Sequence, residues 1–278
     1  MTGCMALLLV VCYLNWKYEV IAFHPFSGDG QAELKVMTWN VHCSNGADKT
    51  RQCAIAELIL KEDIDFVLLN EYNQDSCMVI DSLLKMRYLY TIERKSHQKS
   101  GDIFYSKRTV SNSGRLKTPK KVKHIKTINA TIASGSDSVQ IYGVHFASNH
   151  YDEGIIRAEE IKEFSSYRRY KEAQKERSRQ TYWIKEDVLK SKHPVIVMGD
   201  MNDFNCSAPL DTLASYGLMD AWWKGGLGYG ATFHDGWLKL RIDHILHSKE
   251  LKLESIKVIE TDLSDHNPLV AGFSLIKK

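Results

Sequence analysis

The chain has 278 residues, of which 44% are hydrophobic and 26% are charged. These values are ordinary for a globular protein, and they exclude collagen-like, disordered and multi-span membrane classes. The formal net charge of +3 is too small to indicate a nucleic-acid-binding protein by itself.

The chain begins with an apolar segment at residues 5–14, the longest uninterrupted hydrophobic run. A secretory signal contains about 7–15 apolar residues and a spanning helix about 20, so this length favours a signal or a clipped membrane anchor. No Lys or Arg precedes the run, and an N-terminal extension packed on the domain is the alternative. We expect an apolar segment at 1–30, one catalytic domain at 31–278, and an exported or membrane-anchored protein rather than a cytoplasmic one.

Beyond residue 31, segments typical of strands alternate with segments typical of helices. Residues 34–41 alternate as a strand does, and 48–61 has helical spacing with Asp48 or Thr50 as its N-cap. Further strands are predicted at 65–69, 103–105, 129–133, 139–145, 194–198, 242–246, 256–260 and 269–275, and further helices at 79–86 and 155–189. Strands and helices mixed along one chain predict a single α/β domain with its sheets covered by helices.

Polar side chains follow the ends of the predicted strands. They are Asn40, Glu71, His145, Asp200 with Asn202, Asp243, and Asp265 with His266. Folds of the α/β class commonly present functional groups from strand ends, where a rigid frame holds them. Each residue alone has an ordinary interpretation as a turn, a solvated loop carboxylate or a hydrogen-bonded histidine. Their types, order and strand positions together indicate one active site.

Short segments containing these residues carry a family resemblance. They are TWNV at 38–41, LNEY at 69–72, YGVHF at 142–146, GDMN at 199–202, RIDHIL at 241–246 and SDHNP at 264–268. In this order they resemble the endonuclease/exonuclease/phosphatase superfamily, which has the DNase I-like fold, and in particular bacterial members with an N-terminal membrane segment. The resemblance implies a four-layer α/β/β/α sandwich of two mixed β-sheets flanked by helices.

The resemblance also implies a Mg²⁺-dependent hydrolase that cleaves phosphodiester bonds by direct attack of water, with Mn²⁺ as a substitute ion. Mg²⁺ suits this role because it binds through one or two carboxylates and keeps several waters. Glu71 is the expected main ligand of the metal, and Asn40 and Asp265 are the expected supporting ligands.

The catalytic roles are implied in the same way. Asp200 would orient or deprotonate the attacking water, and Asn202 would donate a hydrogen bond to the phosphoryl group. His266 would contact the phosphate or share the proton transfer, with Asp243 holding its tautomer and orientation. His145 would be a second donor to the phosphate oxygens or the general acid.

Two positions depart from the family pattern. Asn70 stands where many relatives have Gln before the metal-binding Glu, which is a mild change. His42 stands where abasic-site endonucleases of the family carry an acidic residue. This second change argues against a repair nuclease and against a two-metal site.

Several residues are candidates for binding substrate. The segment 115–126 is basic and contains no acidic residue, and its Lys120 and Lys121 either attract a polyanion or guard the edge of a solvated hairpin. Arg157 and Arg179 are candidates from the charged helical stretch. Trp222 offers an aromatic surface for stacking on a base or resting at a lipid interface, with core packing as the alternative.

The expected substrate is therefore a phosphodiester, in a lipid or another small phosphoester. A DNA or RNA endonuclease or exonuclease is the alternative, and a catalytically inactive binding protein is a remote one. Membrane association through residues 5–14 would favour a lipid, and no obligate protein partner is evident.

Overall fold

The structure of the protein is a computed structural model. It describes residues 12–15, 17, 20–24, 31–43, 48–73, 75–94, 101–116, 126–135, 137–148 and 163–276. The strands are β1 (Ala22–Phe23), β2 (Leu34–Asn40), β3 (Phe66–Tyr72), β4 (Tyr90–Arg94), β5 (Gly101–Ser106), β6 (Val110–Arg115), β7 (Lys126–Ser134), β8 (Asp137–His145), β9 (Val195–Asp200), β10 (Leu218–Asp220), β11 (Leu227–Gly228), β12 (Phe233–Asp235), β13 (Leu238–Leu240), β14 (Asp243–Ser248), β15 (Leu251–Val258) and β16 (Leu269–Leu275). The helices are α1 (Lys49–Lys61), α2 (Met78–Lys85), α3 (Glu163–Lys190), α4 (Ala208–Ala214) and α5 (Ala221–Gly225).

Two six-stranded sheets form the centre of the domain. One has the strand order β10-β14-β9-β8-β7-β6, and the other has the order β15-β16-β2-β3-β5-β4. Each sheet is mixed, because β8 and β9 pair in parallel in the first, β2 and β3 pair in parallel in the second, and the other neighbours are antiparallel.

Three apolar clusters separate four layers. Phe66, Leu68 and Phe104 lie in the cluster between the two sheets. Alternate residues of the same strand, Val67 and Leu69, point the other way and pack with α1 and α2. A third cluster joins the outer face of the first sheet to α3 and α4, through residues that include Val144, Val197, Ile184 and Leu213. Strands buried on both faces read as apolar runs, and the predicted four-layer α/β/β/α sandwich is confirmed.

Several predicted elements have different bounds in the structure. The N-cap of α1 is Asp48, whose carboxylate accepts a hydrogen bond from the backbone N–H of Arg51 at 2.9 Å. Strand β3 continues beyond the predicted range 65–69, because Asn70 pairs with Asp102 and Tyr72 pairs with Gly101 on β5. The strands β4 and β6 and the helix α4 were not predicted, since they are short and their sequences show weak periodicity.

The N-terminal region is described only in part. Residues 1–11, which hold most of the apolar segment 5–14, lie outside the described residues. Ala22 is buried in the cluster between the sheets, and β1 pairs antiparallel with β11, so the packed structure includes a strand that precedes residue 31. Among the residues that the structure describes, no helix is both long enough and apolar enough to cross a membrane.

Candidate active site

The active-site residues meet at one edge of the two facing sheets. Asn40 ends β2, His145 ends β8, Asp200 ends β9 and Asp243 begins β14. On the first sheet, Asp200 is paired with His145 on one side and with Asp243 on the other. The strand register therefore places three of the predicted catalytic residues side by side.

Two asparagines join the second sheet to the first at this edge. The amide of Asn40 donates to Oδ2 of Asp200 at 3.0 Å. Asn70 accepts from the backbone N–H of Asp200 at 3.1 Å and donates to the backbone carbonyl of Val144 at 3.2 Å. Both asparagines are buried. They satisfy polar groups that would otherwise be costly inside the sandwich, and they hold Asp200 in one position.

Asp200 is the centre of the site. Its Oδ1 accepts a hydrogen bond from the backbone N–H of Asn202 at 2.9 Å. Nε2 of His145 and Nε2 of His266 each lie 3.9 Å from its Oδ2. Burial and the negative charge of Asp243 raise the pKa of Asp200 above its ordinary value, although both imidazoles and Asn40 act in the opposite direction. A carboxylate with a raised pKa is a stronger base, as the activation of water requires.

His266 is held by Asp243 in the way that the sequence predicts. Its Nδ1 lies 2.7 Å from Oδ2 of Asp243, and the backbone N–H of Asp243 donates to Oγ1 of Thr232 at 3.0 Å. The ring of Phe233 meets the imidazole edge-on, with 5.0 Å between the ring centroids. Burial alone would lower the pKa of His266, but the charges of Asp243 and Asp200 outweigh burial and raise the pKa to about 10.

His145 has a carboxylate partner that was not among the predicted site residues. Its Nδ1 lies 3.3 Å from Oδ1 of Asp102, and that same oxygen accepts from the amide of Asn70 at 2.9 Å. All three side chains are buried. In the sequence, Asp102 is visible only as a lone acidic residue next to the apolar segment 103–105. The pairing of Asp102 with Asn70 depends on the register of β3 and β5.

Two of the residues predicted to hold the metal, Glu71 and Asp265, are more exposed than Asp200. The carboxylates of Glu71 and Asp265 are partly exposed, with 28% and 38% of their side-chain surfaces accessible. Nδ1 of His42 lies between them, at 3.8 Å from Oε2 of Glu71 and 3.3 Å from Oδ2 of Asp265. Burial alone would raise the pKa of Asp265, but His42 and His266 lower it to about 2, which keeps this carboxylate ionised.

The donor chemistry fits a hard divalent cation. Glu71 and Asp265 offer carboxylate oxygens, which Mg²⁺ and Mn²⁺ prefer. The side-chain amide of Asn40 is already engaged, because its Oδ1 accepts from the backbone N–H of His42 at 3.1 Å while its Nδ2 donates to Asp200. Asn40 therefore connects the backbone of His42 to the carboxylate of Asp200.

A second group of side chains has the spacing of a metal site. Ligand atoms of Asp200, Asp243 and His266 all lie within 4.8 Å of one another. All three are buried, and Nδ1 of His266 is engaged by Asp243. Oδ1 of Asp243 has no hydrogen-bond partner among the described residues. A metal ligated by His266 through Nδ1 would break its bond to Asp243, whereas Nε2 of His266 faces Asp200 at 3.9 Å.

Backbone strain is concentrated around the site. His42, Glu71 and Asn202 have φ values of 44°, 52° and 51°, in the left-handed region that residues other than glycine rarely adopt. Such conformations persist only where the surrounding structure imposes them, and they are common at functional sites. The amide of Asn202, predicted to contact the phosphate, donates to the backbone carbonyl of Phe146 at 3.2 Å.

The predicted substrate-binding residues have mixed outcomes. Arg157, Lys120 and Lys121 lie outside the described residues. Trp222 lies in the cluster between the sheets and its Nε1 donates to the carbonyl of Gly228 at 3.1 Å, which agrees with the core-packing alternative. Arg179 is exposed on α3 and pairs with Glu176 at 3.3 Å.

The arginine that approaches the site from α3 is Arg177. It is fully buried, its Nε donates to Asp203 at 2.9 Å, and its Nη1 donates to the carbonyl of Ala147 at 2.8 Å. Arg177 therefore supports the loops that follow His145 and Asn202. Residues two positions apart point to nearly opposite faces of a helix, so Arg179 faces solvent while Arg177 faces the domain.

Solved structures share this fold. Humanized TDP2 from D. rerio has a TM-score of 0.65 and 18% identity, covering 87% of this chain and 98% of that chain. The human Nocturnin catalytic domain with bound sulfate has a TM-score of 0.64 and 20% identity, covering 87% and 94%. The 3′ phosphatase NExo from Neisseria, bound to a product DNA hairpin, has a TM-score of 0.64 and 19% identity, covering 87% and 99%.

The sequence comparisons agree with the fold. No curated protein sequence matches the chain significantly. The profile of the Endonuclease/Exonuclease/phosphatase family matches residues 37–266, which include all of the residues at the sheet edge described above. The chain therefore belongs to the Endonuclease/Exonuclease/phosphatase family, and it is an enzyme of phosphoester hydrolysis.

Proposed function

We propose that the protein hydrolyses phosphodiesters by direct attack of water, with Mg²⁺ as its ion and Mn²⁺ as a substitute. One observation carries the proposal: the imidazoles of His145 and His266 approach the same oxygen of Asp200, each backed by a carboxylate. This arrangement offers a base for water and two donors for the phosphoryl oxygens, and these are the needs of an in-line displacement at phosphorus.

The side chains divide the reaction between them. Asp200 accepts a proton from the attacking water, and its raised pKa makes it the stronger base. His266, positively charged through its contacts with Asp243 and Asp200, donates to the phosphoryl oxygens. His145 donates from the other side of Asp200 to the phosphate or to the leaving oxygen. Glu71 and Asp265 would hold a divalent ion, which would supply positive charge opposite the phosphoryl oxygens.

Water is the proposed nucleophile, because the hydroxyl beside Asp265 already has a structural role. Oγ of Ser264 lies between Asn40 and Asp265, at 2.8 Å from the carbonyl of the first and 3.1 Å from the carboxylate of the second. It joins the end of β2 to the loop that carries Asp265. No covalent phosphoryl-enzyme is therefore part of the proposal.

Two substrate classes are proposed. The first is a lipid or another small phosphodiester, a class that would suit an exported or membrane-tethered enzyme if residues 5–14 act as a signal or anchor. The second is nucleic acid, and the structures of similar fold favour it, because D. rerio TDP2 is complexed with a single-strand DNA product and Neisseria NExo is bound to a product DNA hairpin.

One screen tests the reaction and the substrate class together. Plasmid DNA, RNA, sphingomyelin, phosphoinositides and a chromogenic phosphodiester are incubated with the protein and Mg²⁺, with and without excess EDTA. The expected result is hydrolysis of at least one substrate that EDTA abolishes and Mg²⁺ restores. Hydrolysis that persists in EDTA would contradict the metal mechanism.

A further inference from the structure

One arginine of α3 joins the two loops that follow the strands β8 and β9. Through Nη1, Arg177 donates to the carbonyl of Ala147 at 2.8 Å, two residues after His145. Through Nε, it donates to the carboxylate of Asp203 at 2.9 Å, one residue after Asn202. A guanidinium is planar and presents its donors in a rigid fork. The single side chain of Arg177 therefore fixes the separation of the two loops.

Two glutamines of α3 hold the same loops. Gln180 accepts a hydrogen bond from the backbone N–H of Ala147 at 2.9 Å. Gln174 donates to both carboxylate oxygens of Asp203, at 2.9 Å and 2.7 Å. Each glutamine is three residues from Arg177 along the helix, and side chains at this spacing are neighbours on a helix surface. One face of α3 therefore binds Ala147 and Asp203 through several hydrogen bonds.

The two loops also contact each other beside the reacting groups. The side-chain amide of Asn202 donates to the carbonyl of Phe146 at 3.2 Å. The backbone N–H of Phe146 donates to the carbonyl of Asp200 at 2.9 Å. Asn202 has a φ of 51°, and a left-handed conformation of this kind persists only where the surrounding structure imposes it. The position of Asn202 thus depends on contacts that lie outside its own loop.

Stability alone does not account for the buried ion pair of Arg177 and Asp203. Their side chains are 0% and 1% exposed. Taking two charges out of water costs free energy that their attraction offsets only in part, and a well-packed apolar pair often stabilises a fold as much or more. An apolar pair would not fix the direction of a backbone carbonyl. The ion pair therefore supplies a defined geometry to the two loops.

We propose that Arg177 is a positioning residue of the reaction, which sets the position of His145 relative to Asn202 by bridging Ala147 and Asp203. This inference deepens the proposed function and rests on hydrolysis at this site. Arg177 acts through the loops, so its loss misplaces the groups that face the phosphoryl oxygens. The expected effect is on the chemical step, with a fall in kcat and little change in KM.

Kinetics of two variants with the chromogenic phosphodiester test the bridge. Arg177→Met removes the donors, and we expect kcat to fall roughly 10- to 100-fold, the usual loss when a group that orients a functional residue is removed. Arg177→Lys keeps a positive charge beside Asp203 but lacks the planar fork that reaches both loops, so kcat should stay low. A Lys variant with the kcat of the wild type would overturn the proposal, because charge alone would then suffice.

Arg108 provides a matched control. It also donates to one aspartate and one backbone carbonyl, those of Asp65 and Glu33, each at 2.8 Å. Asp65 and Glu33 directly precede β3 and β2, whose opposite ends carry active-site residues. Arg108→Met should therefore leave kcat unchanged. An equal fall in kcat in both Met variants would overturn the specific role of Arg177.

A double variant separates positioning from folding. Arg177→Met leaves the carboxylate of Asp203 buried without the guanidinium, which strongly destabilises a fold. Arg177→Met combined with Asp203→Asn removes both charges, so neither member of the pair is left charged and buried. We expect this double variant to fold, as circular dichroism would show, and to keep the low kcat. A folded double variant with the kcat of the wild type would contradict the positioning role.

Amide hydrogen exchange reports on the loops without requiring hydrolysis. In Arg177→Met, the backbone N–H groups of Phe146 and Ala147 should exchange faster than in the wild type, and Arg108→Met should leave their exchange unchanged. Equal exchange in the wild type and Arg177→Met would overturn the bridge even if kcat falls. If the wild type hydrolyses none of the screened substrates, the proposed function fails, and exchange alone supports or overturns the bridge between the loops.

Discussion

Nε2 of His145 and Nε2 of His266 lie at the same distance, 3.9 Å, from one oxygen of Asp200, although the two histidines come from β8 and from the loop before β16. Each imidazole has a buried carboxylate behind it, Asp102 for the first and Asp243 for the second. The central carboxylate is thus flanked by two imidazole–carboxylate pairs. This arrangement leads to separate expectations for Asp200 and for the pair of Asp102 and His145.

Replacing the central carboxylate should remove the base. Asp200→Asn keeps the size of the side chain, and we expect kcat to fall about 10²- to 10⁴-fold, the usual contribution of a general base. The chromogenic phosphodiester gives the rate, and circular dichroism checks the fold. A variant with normal kcat would contradict the role assigned to Asp200.

The pairing of Asp102 with His145 predicts non-additive effects. Asp102→Asn should lower kcat roughly 10- to 100-fold, because His145 loses the carboxylate that orients it. When His145→Ala is already present, Asp102→Asn should cost little more, since the residues act as a unit. Rates for the two single variants and the double variant test this, and additive losses would show that Asp102 acts on the reaction independently.

Metal binding should stabilise the native protein. An ion that binds only the folded state adds about 2.7 kcal/mol to the free energy of unfolding at 100 times its Kd. We therefore expect Mg²⁺ to raise Tm in a concentration-dependent way, EDTA to reverse this rise, and Glu71→Gln to abolish it. The control is Glu254→Gln, which makes the same change of side chain on β15, where Glu254 pairs with Lys252. An equal Mg²⁺ effect on Tm in Glu71→Gln would place the ion elsewhere.

Gly199 should be intolerant of any side chain. Its φ is 143°, and a Cβ would lie 1.9 Å from the carbonyl oxygen of Val144 on the adjacent parallel strand. We expect Gly199→Ala to lower the free energy of unfolding by about 3 kcal/mol or more, because the contact with backbone cannot relax by a rotamer change. Gly114→Ala is the control in chemical denaturation, since the nearest atom to its Cβ would be 3.5 Å away. Similar stabilities for the two variants would refute the argument.

A buried ion pair away from the reaction should make stability depend on acid pH. Asp220 contacts Arg241 at 2.8 Å and His244 at 3.0 Å. Burial alone would raise the pKa of Asp220, but the charge of Arg241 and the contact with His244 hold it well below the unfolded value of 3.8. A group with a lowered native pKa stabilises the fold above its unfolded pKa, and this stabilisation disappears as the pH falls below about 4.

Asp220→Asn tests this relationship. At pH 7 the variant should lose about 3 kcal/mol of unfolding free energy, because the buried Arg241 loses the negative charge of Asp220. The difference from the wild type should narrow as the pH falls below about 4, where the wild-type carboxylate also loses its advantage. Urea unfolding at a series of pH values measures both, and a difference that does not change with pH would contradict the expectation.

Much of the fold could be predicted from the sequence because many strands are buried on both faces of their sheet. Strands such as β9 and β3 are covered by the facing sheet on one side and by helices on the other, so they appear in the sequence as short apolar runs. Short elements with mixed burial, such as β12 and β13, lack that signal and were missed. The order and chemical type of Asp200, Asp243 and His266 were also visible along the chain, since polar residues at the ends of apolar strands are conspicuous.

The sequence by itself thus determined the class of fold, the family resemblance and the residues that gather at the edge of the sheets. Only the tertiary structure decided how these residues are paired. Asp102 reaches His145 through strand register and the facing of two sheets. Nδ1 of His42 lies near the carboxylates of both Glu71 and Asp265, and His42 and Glu71 both have left-handed backbone conformations. Such pairings join residues far apart in the chain, and no local pattern of hydrophobicity or charge encodes them.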